Sequence, residues 1–200
     1  MLTSSHQRVI GQKHYASAEY WNDQWLKRSA DKVSDHAVSA IINLARMRDM
    51  SNGLGVEIGG GLNPVMDVLR AIVAPTAAYM SFDLSHEAQR INHEHFDWGT
   101  WLTGDVRDGL DADDDSADLV LSSHLIEHLD DPYQLIEEQL RICRPGGIIA
   151  IAAPLHMHHH EHRQVFAIGD LVGMLKDYAN PVFCYVDNRE TEIVVGIIKP

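Results

Sequence analysis

The chain is short of basic residues, cysteine and long apolar runs, and each shortage removes a class of function. Lys and Arg number 16 against 29 Asp and Glu, a formal net charge of −13. A nucleic-acid surface needs clustered cations to meet phosphates, so no nucleic-acid partner is expected. Only Cys143 and Cys184 are present. Both fall in apolar segments, which reads as two buried free thiols rather than a disulfide. No stretch of about 18 uncharged apolar residues offers a membrane span. The N-terminus, Met1-Leu2-Thr3-Ser4-Ser5-His6, lacks the apolar core of a signal peptide. The expectation is a cytoplasmic protein with no membrane partner.

What is present suits one domain. The 200 residues are 45% apolar, enough for a substantial core. No internal repeat appears, and only the His-rich patch near residue 158 is compositionally biased. Residues 13–50 read as helical, with Val33, Ala37, Ile41 and Leu44 at helical spacing before Ser51-Asn52-Gly53 stops the pattern. Strand-like and helix-like segments then alternate: strand 54–58, helix 64–73, strand 78–83, helix 85–95, a weaker strand 100–104, strand 117–122, helix 132–143 and strand 147–153. Leu171, Val172, Leu175 and Tyr178 mark a further helix, and strands 182–187 and 191–198 close the chain as an antiparallel hairpin. This order predicts a three-layer α/β sheet. Residues 1–52 form an N-terminal helical segment, as lid or packing, and residues 53–200 the ligand-binding domain.

Ligands of open α/β sheets sit outside the carboxyl ends of the strands. The first strand ends in Glu57-Ile58-Gly59-Gly60-Gly61-Leu62-Asn63-Pro64, a glycine turn before a helix that Asn63 and Pro64 are suited to open. The second ends in Asp83-Leu84, whose carboxylate suits the paired hydroxyls of a ribose. The third ends in Gly104-Asp105-Val106, with a carboxylate for an adenine amino group and Val106 to cover the ring. The fourth ends in Ser122-Ser123-His124 and continues into Glu127-His128-Leu129; the fifth follows Arg144-Pro145-Gly146-Gly147.

Taken in that order and spacing, from about Gly55 to Ile151, these elements resemble the class I S-adenosylmethionine-dependent methyltransferases of the small-molecule, type 11-like family. The resemblance implies a Rossmann-like three-layer sandwich with a mostly parallel seven-stranded sheet, and S-adenosyl-L-methionine as cofactor. It implies that Glu57, Gly59, Gly60, Gly61 and Asn63 serve the methionine end, Asp83 and Leu84 the ribose, and Gly104, Asp105 and Val106 the adenine. Ser123 and His124 would face the donor methyl group. Asn63 departs from the family's frequent third glycine, a change that Asn's tolerance of left-handed backbone accommodates. A dinucleotide-binding domain is the competitor, but Pro64 stands where its third glycine would be.

His124 and His128 are the candidate catalytic residues: His124 either as a base or as pocket lining, His128 either as a substrate contact or as structure. The fourth strand does not end in Asn-Pro-Pro-Tyr, which favours an oxygen, aliphatic nitrogen, carbon or sulfur acceptor on a small molecule or glycan. A catalytically silent cofactor-binding or interaction protein is the alternative. His156, His158 and His160 could share one face of the His patch, which reads either as a polar loop or as a metal site, and no metal is expected. Tyr15, Tyr20, Trp21 and Trp25 are lid or packing residues, and Trp98 and Trp101 core or adenine-side packing. With no large insertion to cover the acceptor, a homo-oligomer or a carrier-borne substrate is one way to complete the cleft.

Overall fold

The structure, a computed structural model, describes residues 17–27, 35–47, 49–62, 64–156, 164–187, 189 and 191–200. Helices α1 (Ala18–Lys27) and α2 (Asp35–Ala45) precede the alternating part. That part runs β1 (Leu54–Ile58), α3 (Val65–Ile72), β2 (Ala78–Asp83), α4 (His86–His95), β3 (Thr100–Thr103) and β4 (Ala117–Ser123). After a 3₁₀ turn at Ile126–His128 come α5 (Tyr133–Ile142), β5 (Cys143–Pro154), α6 (Ile168–Lys176), β6 (Pro181–Val186) and β7 (Glu192–Ile198).

Among the described residues the strands form one seven-stranded sheet in the order β3-β2-β1-β4-β5-β7-β6. β1 is parallel to β2 and β4, and β4 to β5, whereas β7 runs antiparallel between β5 and β6. The central strands are buried on both faces, as parallel sheets require: Leu119, Val120 and Leu121 have no solvent exposure. One face packs Val120, Ile149 and Val195 against Leu135, Ile136 and Leu171. The other packs Leu121, Ile148 and Val194 against Ile41, Leu44 and Leu69. α2 therefore shares a core with the sheet. Gly196 of β7 makes room for it, since a Cβ there would lie 2.5 Å from Leu44 Cδ2.

At the amino ends of the strands, Asp118 accepts the Leu54 amide at 2.8 Å and meets Arg144 Nε at 2.6 Å, joining β1, β4 and β5. The acidic loop after β3 is fastened by α5, where Glu138 accepts the Leu110 amide and Arg141 donates to the Leu110 and Ala112 carbonyls.

The structure corrects some local expectations. β5 starts at Cys143 rather than 147, because Cys143 already pairs with Ala117 ahead of a register shift, which Gly146 helps to turn at φ 75°. Cys143 is buried, but Cys184 is exposed, as is Val182 two residues before it, because β6 is the edge strand of the sheet. α2 ends at Ala45, six residues before Ser51. Trp98 and Trp101 cluster with Phe96 and Tyr79, with Arg70 over Trp98, and this aromatic group lies outside the pocket described below.

Leu44→Ala should cost about 2–5 kcal/mol of unfolding free energy, read by chemical denaturation, because it empties a fully enclosed site between α2 and the sheet. A loss under about 1 kcal/mol would show that α2 is only peripheral.

Candidate functional site

β1 ends in a buried carboxylate. Glu57 is 1% exposed, and its Oε1 and Oε2 accept the Val65 and Met66 amides at 3.0 and 3.1 Å. These are the first free N–H groups of α3, so the cap comes from the preceding strand and not from Asn63–Pro64. Pro64 is extended (φ −63°, ψ 138°) and forms no side-chain cap; Asn63 lies outside the described residues. The turn between them needs glycine: Gly59 and Gly61 have φ of 80° and 54°, and the Gly59 amide donates to the Phe82 carbonyl at 2.7 Å.

Asp83, at the end of β2, closes the same turn from the other side. Its Oδ2 accepts the Gly61 amide at 2.9 Å and its Oδ1 the Ser85 amide at 2.8 Å. Asn92 of α4 donates to the Gly61 carbonyl at 2.6 Å, so both polar groups of Gly61 are held. Ser85 caps α4 by accepting from Ala88 and donates its own hydroxyl to Asn22 Oδ1 at 2.6 Å. Asn22 also accepts the Glu87 amide, which seats α1 on the start of α4. Burial pushes the Glu57 carboxyl up to about 7 and the Asp83 carboxyl up to about 6, against the pull of these amides.

A pocket opens above the carboxyl ends of β1, β2 and β4, at the switch point of the strand order. Of the expected cofactor residues, Gly59, Asp83, Leu84, Gly104, Asp105 and Val106 line it. Glu57, Gly60 and Gly61 do not; they shape the turn beneath. Asp105 is engaged by Arg107, whose Nε lies 2.8 Å from Oδ1 and Nη2 2.5 Å from Oδ2. Burial would raise the Asp105 carboxyl, but the Arg107 hydrogen bonds prevail and hold it below its usual range. Trp21 and Trp25 of α1 line the opposite wall, so α1 faces the pocket.

His124 and His128 also line the pocket. His124 sits at φ 55°, an uncommon conformation for a residue with a Cβ, while its amide donates to the Ala152 carbonyl. Both ring nitrogens have neighbours: Nδ1 lies 3.0 Å from Ser123 Oγ and Nε2 3.0 Å from Glu192 Oε1. Ser123 does not line the pocket; its hydroxyl is turned to the imidazole. Burial would lower the His124 pKa, but Glu192, with Glu127 nearby, raises it above the ordinary value. Glu192 is fixed by the hairpin before it, where Asp187 accepts the Thr191 and Glu192 amides and the Thr191 hydroxyl. His128 stands on the 3₁₀ turn, edge-on to Trp21 at 5.0 Å. In the His patch only His156 is described, on the surface. Among the described residues no group of three His, Cys, Asp or Glu is placed to hold a metal.

Glu192, Arg107 and Asn22 were not anticipated from sequence. Glu192 had a usable signal: a strand antiparallel to β5 begins at the carboxyl edge, so its first residues face the ligand side. Nothing local announces the Asn22–Ser85 contact, which joins residues 63 apart.

The donor set fits a nucleoside carrying an amino-acid tail. It combines a carboxylate beside a glycine turn, a second carboxylate with an apolar neighbour at Val106, and an uncapped histidine-lined side. Residues 56–151 match the methyltransferase domain family. Over 143 residues the chain is 27% identical to a trans-aconitate 2-methyltransferase of Azoarcus sp. (strain BH72), covering 72% of this chain and 54% of that protein. An uncharacterized methyltransferase of Mycolicibacterium vanbaalenii is 37% identical over 67 residues, 34% of this chain and 25% of that one. The chain thus spans about half or less of the curated relatives it matches. In fold it resembles a SAM dependent methyltransferase from Aquifex aeolicus, at TM-score 0.71 and 14% identity, covering 90% of this chain and 98% of that one. The methyltransferase in a Haloferax volcanii complex with the Trm112 methyltransferase activator gives TM-score 0.71 and 21% identity over 82% and 90% of the two chains.

Glu57→Gln should cost about 1–3 kcal/mol, because an amide nitrogen replaces one acceptor and leaves an α3 N–H unmet. The raised carboxyls also set a pH dependence in the ligand-free protein. Their folded values of about 7 and 6 exceed the ordinary carboxyl values of 4.5 and 3.8, so their stabilising effect is complete below about pH 4. It is lost as pH rises through about 6 to 7, and His124 adds loss in the same direction above 6.5. Denaturation midpoints from about pH 5 to 8 should fall, and Glu57→Gln and Asp83→Asn should each flatten that slope; an unchanged slope would refute the assignment.

Proposed function

We propose that this chain is an S-adenosylmethionine-dependent methyltransferase that methylates a small-molecule or glycan-type acceptor at an oxygen, aliphatic nitrogen, carbon or sulfur atom. The observation that carries this reading is Asp83, a pocket-lining carboxylate that reaches the glycine turn through Gly61.

S-Adenosylmethionine, when bound, supplies a methyl group activated on a sulfonium. The chain's own part is largely positioning, because a displacement needs acceptor and donor in line. Asp83 accepts from the ribose hydroxyls with the lone pairs that Gly61 and Ser85 leave over, and Leu84 borders it. The Gly59–Gly61 turn, shaped from below by Glu57, presents backbone to the methionine end. Asp105 accepts from the adenine amino group at the expense of one Arg107 contact, with Gly104 and Val106 against the ring.

On the acceptor side, His124 takes up the proton of an O–H or N–H acceptor at Nδ1, the nitrogen facing Ser123. Its Nε2–H is directed to Glu192, which stabilises the imidazolium that results. His128 lines the far wall and contacts substrate. Residues 18–27 serve as lid and residues 35–45 as packing, with a second copy or a carrier completing the open acceptor side. A catalytically silent cofactor-binding protein is the second reading, favoured by one observation: both His124 nitrogens already have partners within the protein.

Calorimetry should detect S-adenosylmethionine binding that Asp83→Asn weakens at least about tenfold, the loss of one well-placed charged acceptor. Wild-type affinity should fall as pH drops below about 6, where Asp83 protonates, and the variant should not show that fall. Unchanged affinity in the variant would sink the ribose assignment. Methyl transfer is tested on an acceptor panel that includes trans-aconitate. For an acceptor that turns over, His124→Asn should lower kcat about 100-fold while cofactor affinity stays within about twofold. An equal kcat would leave His124 as lining.

A further inference from the structure

Trp21 and Trp25 stand one turn apart on α1, a helix in which no residue is fully buried. Their rings stack at 5.9 Å between centroids and 28° between planes, and Trp21 meets His128 beyond. Trp25 lies on the glycine turn: a Cβ at Gly61 would sit 2.8 Å from its Cη2 and Cζ2. Indoles that serve as core are enclosed by protein, whereas these two are half-buried and border an open pocket. The helix carrying them is fastened by polar contacts, Asn22 to Ser85 and Glu87, rather than by apolar burial.

The charged and titratable groups bordering the same pocket are Asp83, Asp105, Arg107, His124 and His128. Asp83 is held by two amides, Asp105 by Arg107, and His124 by Glu192. His128 stands edge-on to Trp21, and the stacked indoles each keep one outer face, with the Trp25 rim on the glycine turn. An indole face attracts a cation through its quadrupole more strongly than any other aromatic side chain.

Resting on the cofactor site assigned above, we propose that Trp21 and Trp25 form a cation–π wall that selects the sulfonium donor over its thioether product. In transfer the methyl carbon bonds to the acceptor's lone pair and the sulfur keeps the pair of the broken C–S bond. S-Adenosylmethionine thereby becomes neutral at sulfur as S-adenosylhomocysteine, and the attraction of the wall ends with the reaction. The lid thus discriminates charge at one atom, and its grip relaxes once the donor is spent.

Calorimetry with both ligands on wild type, Trp21→Leu, Trp25→Leu and Trp25→Phe tests this. Leucine keeps the wall apolar and removes the π face; phenylalanine keeps a weaker one. Each leucine variant should lose S-adenosylmethionine affinity about tenfold more than S-adenosylhomocysteine affinity, with Trp25→Phe between it and wild type. Equal losses for the two ligands, or no loss for either, would overturn the wall. Should the leucine variants fail to fold, the Phe variant decides alone: a reduced donor preference supports the wall and an unchanged one refutes it. A wild-type protein that binds neither ligand would overturn the cofactor assignment instead.

Discussion

Two buried carboxylates, each held by backbone amides, organise everything around the pocket. Glu57 spends both oxygens on the start of α3, and Asp83 spends one on Gly61 and one on Ser85. Burial opposes their ionisation, which is why both carboxyls are raised, yet the amides they satisfy are themselves expensive to leave unmet. The result is a turn with no slack. Gly59 and Gly61 take conformations other residues resist, and Asn92 fixes the remaining carbonyl. Asp83 then links this turn through Ser85 to Asn22, so the pocket-lining carboxylate and α1 share one chain of contacts.

Much of this was legible in the chain because strand ends are local features. The β1 and β2 boundaries follow directly from apolar runs that stop at an acidic residue, and Asp83, Leu84, Gly104, Asp105 and Val106 all reach the pocket as the alternating pattern implies. The reading of Glu57 located the residue but not its contacts, since a carboxylate that reaches eight residues ahead to cap a helix leaves no spacing rule to detect. The cap on α3 was sought at Asn63 and Pro64 because local capping residues are common there.

Contacts between distant segments were not legible. Arg107 is two residues from Asp105, and nothing in that spacing says whether the guanidinium turns toward the carboxylate or away. Glu192 and His124 lie 68 positions apart and meet only because β7 reverses direction beside β5. Cys184 was misplaced for a related reason: an apolar strand looks the same whether both faces or one are covered, and β6 is at the sheet edge.

The reversal of β7 divides the labour of the ligand edge between separate stretches of chain. In the proposed reading the donor half is furnished by β1, β2 and β3, within residues 54–106. In that reading the acceptor half is furnished by the exit of β4 and by the turn before β7, which Asp187 fastens. The Asp187 contacts that fasten this turn are local, running only to residues 189, 191 and 192. In the proposed reading, donor binding and acceptor choice rest on separately fastened stretches of chain, and Glu192 marks the point where they meet at His124.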